Sequence, residues 1–199
     1  MNILIIGANG FTGRRILNDL VAREIYNITA CSLRNDIKSG DGYQFIRADI
    51  RNASEVRALF KEVCPDVVIN TSALSVPDFC ETHHNEARAT NITAVEHLAR
   101  ACEQYGSRFI HLSTDFVFDG RTDRLYIEED EPNPVNYYGI TKLEGEERVA
   151  ECCGNYAIVR VVVVYGKALP GQHGNIVQLV ANKLRSGETI RVVSDQWRT

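Results

Sequence analysis

In the stretch NYYGITK (136–142), Tyr138 and Lys142 stand four residues apart, so on a helix they share one face while Tyr137 meets Thr141. A phenol beside an ammonium is a recognisable acid. Bringing a free phenol from a pKa of about 10 to about 7 takes roughly 4 kcal/mol. One ammonium at about 4 Å, in an effective dielectric of about 20, supplies a similar amount. Tyr138 could then pass a proton to a carbonyl oxygen as its carbon is reduced. Thr114, at the end of the run RFIHLST (108–114), would hold that oxygen by a hydrogen bond. Hydroxyls at Ser113 and Thr114 could equally make ordinary strand-end hydrogen bonds. Tyr137, one step round the helix, is expected as packing or pocket wall. Alone the Tyr–Lys spacing is a modest signal, and the elements around it decide its meaning.

Those elements alternate along the chain. NILIIG (2–7), NITACSL (27–33), YQFIRAD (43–49), DVVINTSA (66–73), 108–114, YAIVRVVVVYG (156–166) and IRVV (190–193) read as strands. Several are nearly continuous apolar runs, as parallel strands covered on both faces require. Helical spacing marks 11–24, 52–63, 84–106, 137–152 and 175–187; Ile92, Val95, Leu98, Ala99 and Cys102 form one apolar stripe. This alternation predicts an α/β fold, a doubly wound parallel sheet of Rossmann type. The segment 119–135 is a long irregular loop, a length usually functional or mobile.

The bulk properties narrow the partners. The 199 residues carry a net charge of −4 with no basic block, which argues against nucleic acid. No apolar run approaches a membrane span, and the N-terminus lacks the charge and length of a signal peptide. The six cysteines lack C-x-x-C spacing and are expected as reduced thiols in a cytoplasmic protein. His83 and His84 are adjacent but match no metal-ligand spacing, so they are expected as surface residues and no metal is assigned.

The first strand runs into Gly7, Gly10 and Gly13 and then a helix, the context that turns a glycine triplet into a dinucleotide cradle. Gly7 permits the sharp turn, Gly10 a close backbone approach to pyrophosphate, and Gly13 close packing of helix on sheet. Asn9, Phe11 and Thr12 complete the turn and the helix start, whose N–H groups face the phosphates. No lysine follows in a Walker pattern, which disfavours a nucleoside triphosphate. At the end of the second strand, CSLRND offers Ser32 where an acid would select NAD, then Arg34, which favours NADPH over NADH. Asp36 is the alternative ribose partner, with Arg34 then a solvated charge. Asp49 and Ile50 are expected beside the adenine.

These blocks, with CPDVVINTSA, HLSTDFVFDG, NPVNYYGITKLEGE, VRVVVVYG and VVSDQWRT, resemble the extended short-chain dehydrogenase/reductase superfamily, and within it the dTDP-4-dehydrorhamnose reductase family. The resemblance covers essentially the whole chain. It implies NAD(P)H-dependent reduction of the C4 ketone of dTDP-4-dehydrorhamnose to dTDP-L-rhamnose, for cell-surface polysaccharide. It also implies a catalytic set of Thr114, Tyr138 and Lys142, the last two also on the cofactor, with Lys142 gripping the nicotinamide ribose. Asn70, Ser72 and Ala73 would lie along the cofactor, and Val76, Asp115, Phe116 and Arg160 near the nucleotide-sugar substrate. The chain departs from the family at NTSA and at Ser32, and stops at Thr199 where relatives continue. Residues 1–166 are thus expected as the dinucleotide-binding domain and 167–199 as the start of a truncated substrate-binding region. A homodimer is left open. The same branch resembles the β subunit of methionine adenosyltransferase, a non-catalytic regulatory partner, and sugar epimerases or dehydratases share the cradle and the Tyr–Lys pair.

Overall fold

The computed structural model of the chain describes residues 1–38, 40–169 and 175–191. Six strands form one parallel sheet: β1 (Asn2–Ile6), β2 (Asn27–Ser32), β3 (Gln44–Arg47), β4 (Val67–Asn70), β5 (Arg108–Thr114) and β6 (Tyr156–Val161). Their order is β3-β2-β1-β4-β5-β6. The order reverses between β1 and β4, and a crevice opens beyond the strand ends at such a switch point.

Side chains of β1 alternate between two cores, as the two-residue period of a strand requires. Ile3 and Ile5 join Leu17 of α1 (Phe11–Val21) with Ile28 and Ala30 of β2. Leu4 and Ile6 join the opposite layer, where α2 (Ala53–Val63), α5 (Ala94–Tyr105) and α6 (Tyr137–Cys152) contribute Phe60, Leu98 and Val149. Cys31, Cys102 and Cys153 are buried there as small apolar side chains. The remaining helices are α3 (Pro77–Thr82), α4 (His84–Arg88) and α7 (Ile176–Arg185). No helix among the described residues is long and apolar enough to cross a membrane.

The doubly wound α/β reading holds, and the departures are local. The single helix expected over 84–106 is α4, a π turn at Ala89–Thr93, and α5. The π turn carries the buried Asn91, whose Oδ1 accepts from the Leu74 N–H at 2.8 Å. Its amide donates to the Leu74 carbonyl at 3.1 Å and to Thr141 Oγ1 at 3.0 Å. One inserted side chain thus ties the segment after β4 to α6, and such bulges recur at functional sites. α3 was not anticipated, being too short for a periodic signal. β6 ends at Val161, opposite Thr114, because its β5 partner ends there; 162–166 continue outside the ladder. Of the strand expected at 190–193, residues 190 and 191 are not in a strand, and 192 and 193 lie outside the described residues.

The loop 119–135 has its own internal order. Asp119 accepts from Tyr126 Oη at 2.9 Å and Asn133 Nδ2 at 2.9 Å, and Phe118 stacks on Tyr126 with ring centroids 4.2 Å apart.

α6 meets the π turn at Gly145, where an added Cβ would stand 2.4 Å from the Asn91 carbonyl oxygen. Gly to Ala inside an exposed helix stabilises by about 1 kcal/mol. Here the sign should reverse, with Gly145→Ala losing about 1–3 kcal/mol to overpacking in urea unfolding.

Candidate active site

A cavity of about 1320 Å³ follows the carboxyl ends of the strands. That exceeds the roughly 300–1,000 Å³ of ordinary small-molecule pockets, so it suits an elongated ligand. At its middle the chain leaves β1 through Gly7, whose φ of +80° belongs to the left-handed region. A Cβ on Gly7 would sit 2.8 Å from the Ser72 nitrogen, and one on Gly13 2.3 Å from the Gly7 oxygen. α1 therefore starts closer to the strand ends than side chains would permit. Its N-cap residue, Gly10, has no side chain to offer as a cap, and its first turn holds no acid. Phe11 and Thr12 present this positive helix end to the cavity.

Under β2 and β3, Ser32, Arg34, Asp49 and Ile50 line the cavity. Ser32 Oγ accepts from the Asn9 N–H at 3.0 Å, which joins the end of β2 to the glycine turn. Asp36 does not line the cavity. It is ion-paired with Arg14 and accepts from Tyr43 Oη at 2.5 Å. Burial would raise its carboxyl, but Tyr43 and Arg14 hold it below the usual range. Asp49 is held by Arg51 at 2.7 Å, and those hydrogen bonds lower its carboxyl. Arg51, not anticipated from sequence, also lines the cavity.

Under β5, Thr114, Asp115, Phe116, Tyr138 and Lys142 come together on the cavity wall. Asn136 starts α6 by accepting from the Gly139 N–H at 2.8 Å. Thr114 Oγ1 accepts from the Phe116 N–H at 3.2 Å, opening a one-turn 3₁₀ segment at Asp115–Val117. Phe116 packs edge-on to Tyr138 with ring centroids 5.6 Å apart. Thr114 Oγ1 donates to Asp115 Oδ1 at 3.1 Å, and the Thr114 hydroxyl lies near enough to Tyr138 to act on its phenol. Tyr137 lies outside the cavity, stacked on His84 at 3.8 Å, and His83 stacks on Phe79 at 3.7 Å.

The electrostatics of the pair differ from the expectation. Lys142 Nζ donates to the Leu112 carbonyl at 2.8 Å and meets His111 Nε2 at 3.2 Å. Lys142 is not among the groups that move Tyr138. Burial pushes the phenol up to about 12, only partly offset by the Thr114 hydrogen bond. Lys142, completely buried, is pushed down to about 8. Desolvation dominates both shifts, and neither group is among those that move the other.

Four expected residues fall outside the lining. Gly13 packs helix on sheet. Asn70 is fully buried, its Oδ1 accepting from Ser72 N–H at 3.0 Å and Ser72 Oγ at 2.6 Å, so it supports Ser72 and Ala73, which do line the cavity. Val76 caps α3 and is largely exposed. Arg160 lies within β6 and pairs with Glu146 of α6 at 2.7 Å, its guanidinium 5.1 Å from the Phe118 ring centre. A buried carboxylate draws it away from the cavity. Ser113 Oγ is buried on the cavity wall without a hydrogen-bond partner among the described residues. Its place beside Thr114 was the available signal, and strand-end hydrogen bonding was the competing explanation. The buried His111 gave none.

Fold and site together define a Rossmann-type α/β protein with a tyrosine–lysine pair in the cavity beyond its strand ends. The chain belongs to the family described as the RmlD substrate binding domain, which matches residues 1–199. It is 36% identical over 202 residues to a probable low-salt glycan biosynthesis reductase, Agl14, of Haloferax volcanii, covering 100% of this chain and 66% of the relative. It is 33% identical to methionine adenosyltransferase 2 subunit beta of Bos taurus, over 83% of this chain and 47% of that one. The solved structure of dTDP-4-dehydrorhamnose reductase from Bacillus anthracis in complex with NADP superposes with a TM-score of 0.84 at 30% identity, over 98% of this chain and 63% of that one. The chain spans about two thirds or less of the length of the curated relatives it matches.

Burial at about 8, against about 10.4 for an unfolded lysine, gives Lys142 a defined pH signature. Between those values the unfolded chain binds more protons, so stability should rise with pH across the window, the full cost being present below it. The stability difference between the parent chain and the non-titrating Lys142→Met should therefore move in the parent's favour by on the order of 3 kcal/mol from about pH 7 to about pH 10.5, in urea unfolding.

Proposed function

We propose that this chain forms the dinucleotide-binding part of an NADPH-dependent nucleotide-sugar 4-ketoreductase that converts dTDP-4-dehydrorhamnose to dTDP-L-rhamnose in the cytoplasm. One observation carries the reading. One cavity is lined both by the glycine turn and helix start (Gly7, Gly10, Phe11 and Thr12) and by Thr114, Tyr138 and Lys142. Similarity to reductases, one of them a dTDP-4-dehydrorhamnose reductase bound to NADP, supports it.

The residues fit a dinucleotide. The close approaches at Gly7 and Gly13 leave backbone where a pyrophosphate needs it. Ser32 and Arg34 would take the adenosine ribose, Arg34 favouring a 2′-phosphate and so NADPH over NADH, with Asp49 and Ile50 beside the adenine. Ser72, Ala73 and the unpartnered Ser113 hydroxyl would lie along the remainder. Bound there, the reduced nicotinamide supplies hydride.

The chain's own residues do the proton chemistry. Tyr138 holds the proton that a reduced carbonyl oxygen requires. Burial that raises the phenol keeps this proton in place until negative charge develops on the oxygen, and a phenol remains acidic enough to protonate an alkoxide. Thr114 orients the same oxygen, with Asp115 and Phe116 beside the sugar. Residues 1–166 act as the dinucleotide domain and 167–199 begin the substrate-binding region.

A second reading, a regulatory subunit, is favoured by the resemblance to methionine adenosyltransferase 2 subunit beta. Assay of the complete protein separates the readings. Reduction of dTDP-4-dehydrorhamnose with stoichiometric NADPH loss is expected, with kcat falling about 10²–10⁴-fold in Tyr138→Phe while NADPH still binds. Arg34→Ala should weaken NADPH roughly tenfold or more and leave NADH unchanged. Tightly retained NAD⁺ without net consumption would indicate an epimerase or dehydratase. Absence of turnover together with capture of an adenosyltransferase would favour the regulatory role.

A further inference from the structure

Asn70, His111 and Lys142 form a buried chain across three elements: Asn70 on β4, His111 on β5 and Lys142 on α6. Asn70 Nδ2 stands 3.0 Å from His111 Nδ1, and His111 Nε2 stands 3.2 Å from Lys142 Nζ. The direction of each hydrogen bond follows from one fixed point. The backbone N–H of Ser72 can only donate, so the Asn70 atom facing it at 3.0 Å is the oxygen. The opposite Asn70 atom is then the NH₂, which donates to His111 Nδ1. A neutral imidazole accepting at Nδ1 carries its proton on Nε2. That proton points at Lys142 Nζ, which already donates to the Leu112 carbonyl at 2.8 Å. An ammonium has no lone pair and would set two donors against each other. An amine accepts from His111 and donates to Leu112 without conflict.

We propose that His111 is a positioning residue, oriented by Asn70, whose Nε2–H favours the neutral amine of Lys142 over the ammonium, so that Lys142 takes up and releases a proton close to neutral pH. The charged and titratable surroundings agree. On α6, Glu146 favours the ammonium, but its carboxylate is tied to Arg160 of β6 at 2.7 Å. Tyr138, on the same helix, is raised chiefly by burial and lies near Thr114 and Asp115 at the end of β5. His111 is fully buried, and burial, the largest cause, pushes it well below the usual imidazole range, so it stays neutral. Burial acts on Lys142 in the same direction.

The use of that amine rests on the proposed function. Once Tyr138 has given its proton to the substrate oxygen, the phenolate is left one proton short. A Lys142 that gains and loses its proton near neutral pH is a matched reservoir for recharging it from solvent, whereas a permanent ammonium would serve only as fixed charge.

The test is read without cofactor or substrate, so its outcome is separate from that of the proposed function. Nitrogen-15 NMR of ligand-free protein should show His111 neutral with its proton on Nε2. Carbon-13 NMR of the lysine side chains should show Lys142 titrating at or below about pH 8. Asn70→Asp still accepts from Ser72 but must also accept from His111. The His111 proton should then move to Nδ1, and Lys142 titration should rise by about one pH unit or more. In the parent protein, a proton on His111 Nδ1, or Lys142 still an ammonium at about pH 9.5, overturns the proposal even if no variant folds.

Discussion

The site depends on taking two polar side chains of α6 out of water. Tyr138 packs with Cys80, Ala87 and Phe116, Lys142 meets His111 and Leu112 of β5, and for both burial is the largest cause of the shift. An unpaired ammonium is costly in such a place. The Leu112 carbonyl accepts from the Lys142 nitrogen and the His111 ring partners its neutral form, and both are available because β5 runs directly beneath α6. The layered sheet, the π turn at Ala89–Thr93 and the glycine at 145 all serve that close seating of α6.

A consequence is that the phenol and the amine are governed less by each other than by the cleft. Pairwise attraction between a phenol and an ammonium at about 4 Å is large enough on paper to produce an acidic tyrosine. It did not reckon with a lysine whose hydrogen bonds point into the sheet. Burial that keeps Tyr138 protonated is compatible with delivering a proton, but it moves the interest from the phenol to whatever restores it. The hydroxyl of Thr114 and the unpartnered hydroxyl of Ser113 share the same wall, so the polar groups on this side are few and well separated in role.

Much of this was legible in the sequence because it is written in local periodicity. Apolar runs gave the strands of a parallel sheet, three spaced glycines gave the turn, and the four-residue offset gave the shared helix face of Tyr138 and Lys142. What escaped was long-range. His111 reads as one more residue of an apolar strand, and only the packing of α6 on β5 makes it a neighbour of Lys142. Arg160 was expected at the cavity by its place near the end of β6, yet the buried Glu146, fourteen residues earlier, claims its guanidinium. Asp36 looked available for a ribose until Arg14 and Tyr43 were seen to occupy it. The π turn could not be read from a helical stripe, because one extra residue per turn barely disturbs the pattern.

Ser32 does two things at once: its hydroxyl receives the Asn9 backbone N–H that anchors the glycine turn, and its position faces the far end of the cavity. What the turn asks of this residue is only an acceptor, and a carboxylate is an acceptor too. The scaffold therefore leaves this position free to drift between hydroxyl and acid without unpicking the loop. A lineage could exchange one pool of reducing equivalents for another by a few base changes here, its architecture untouched.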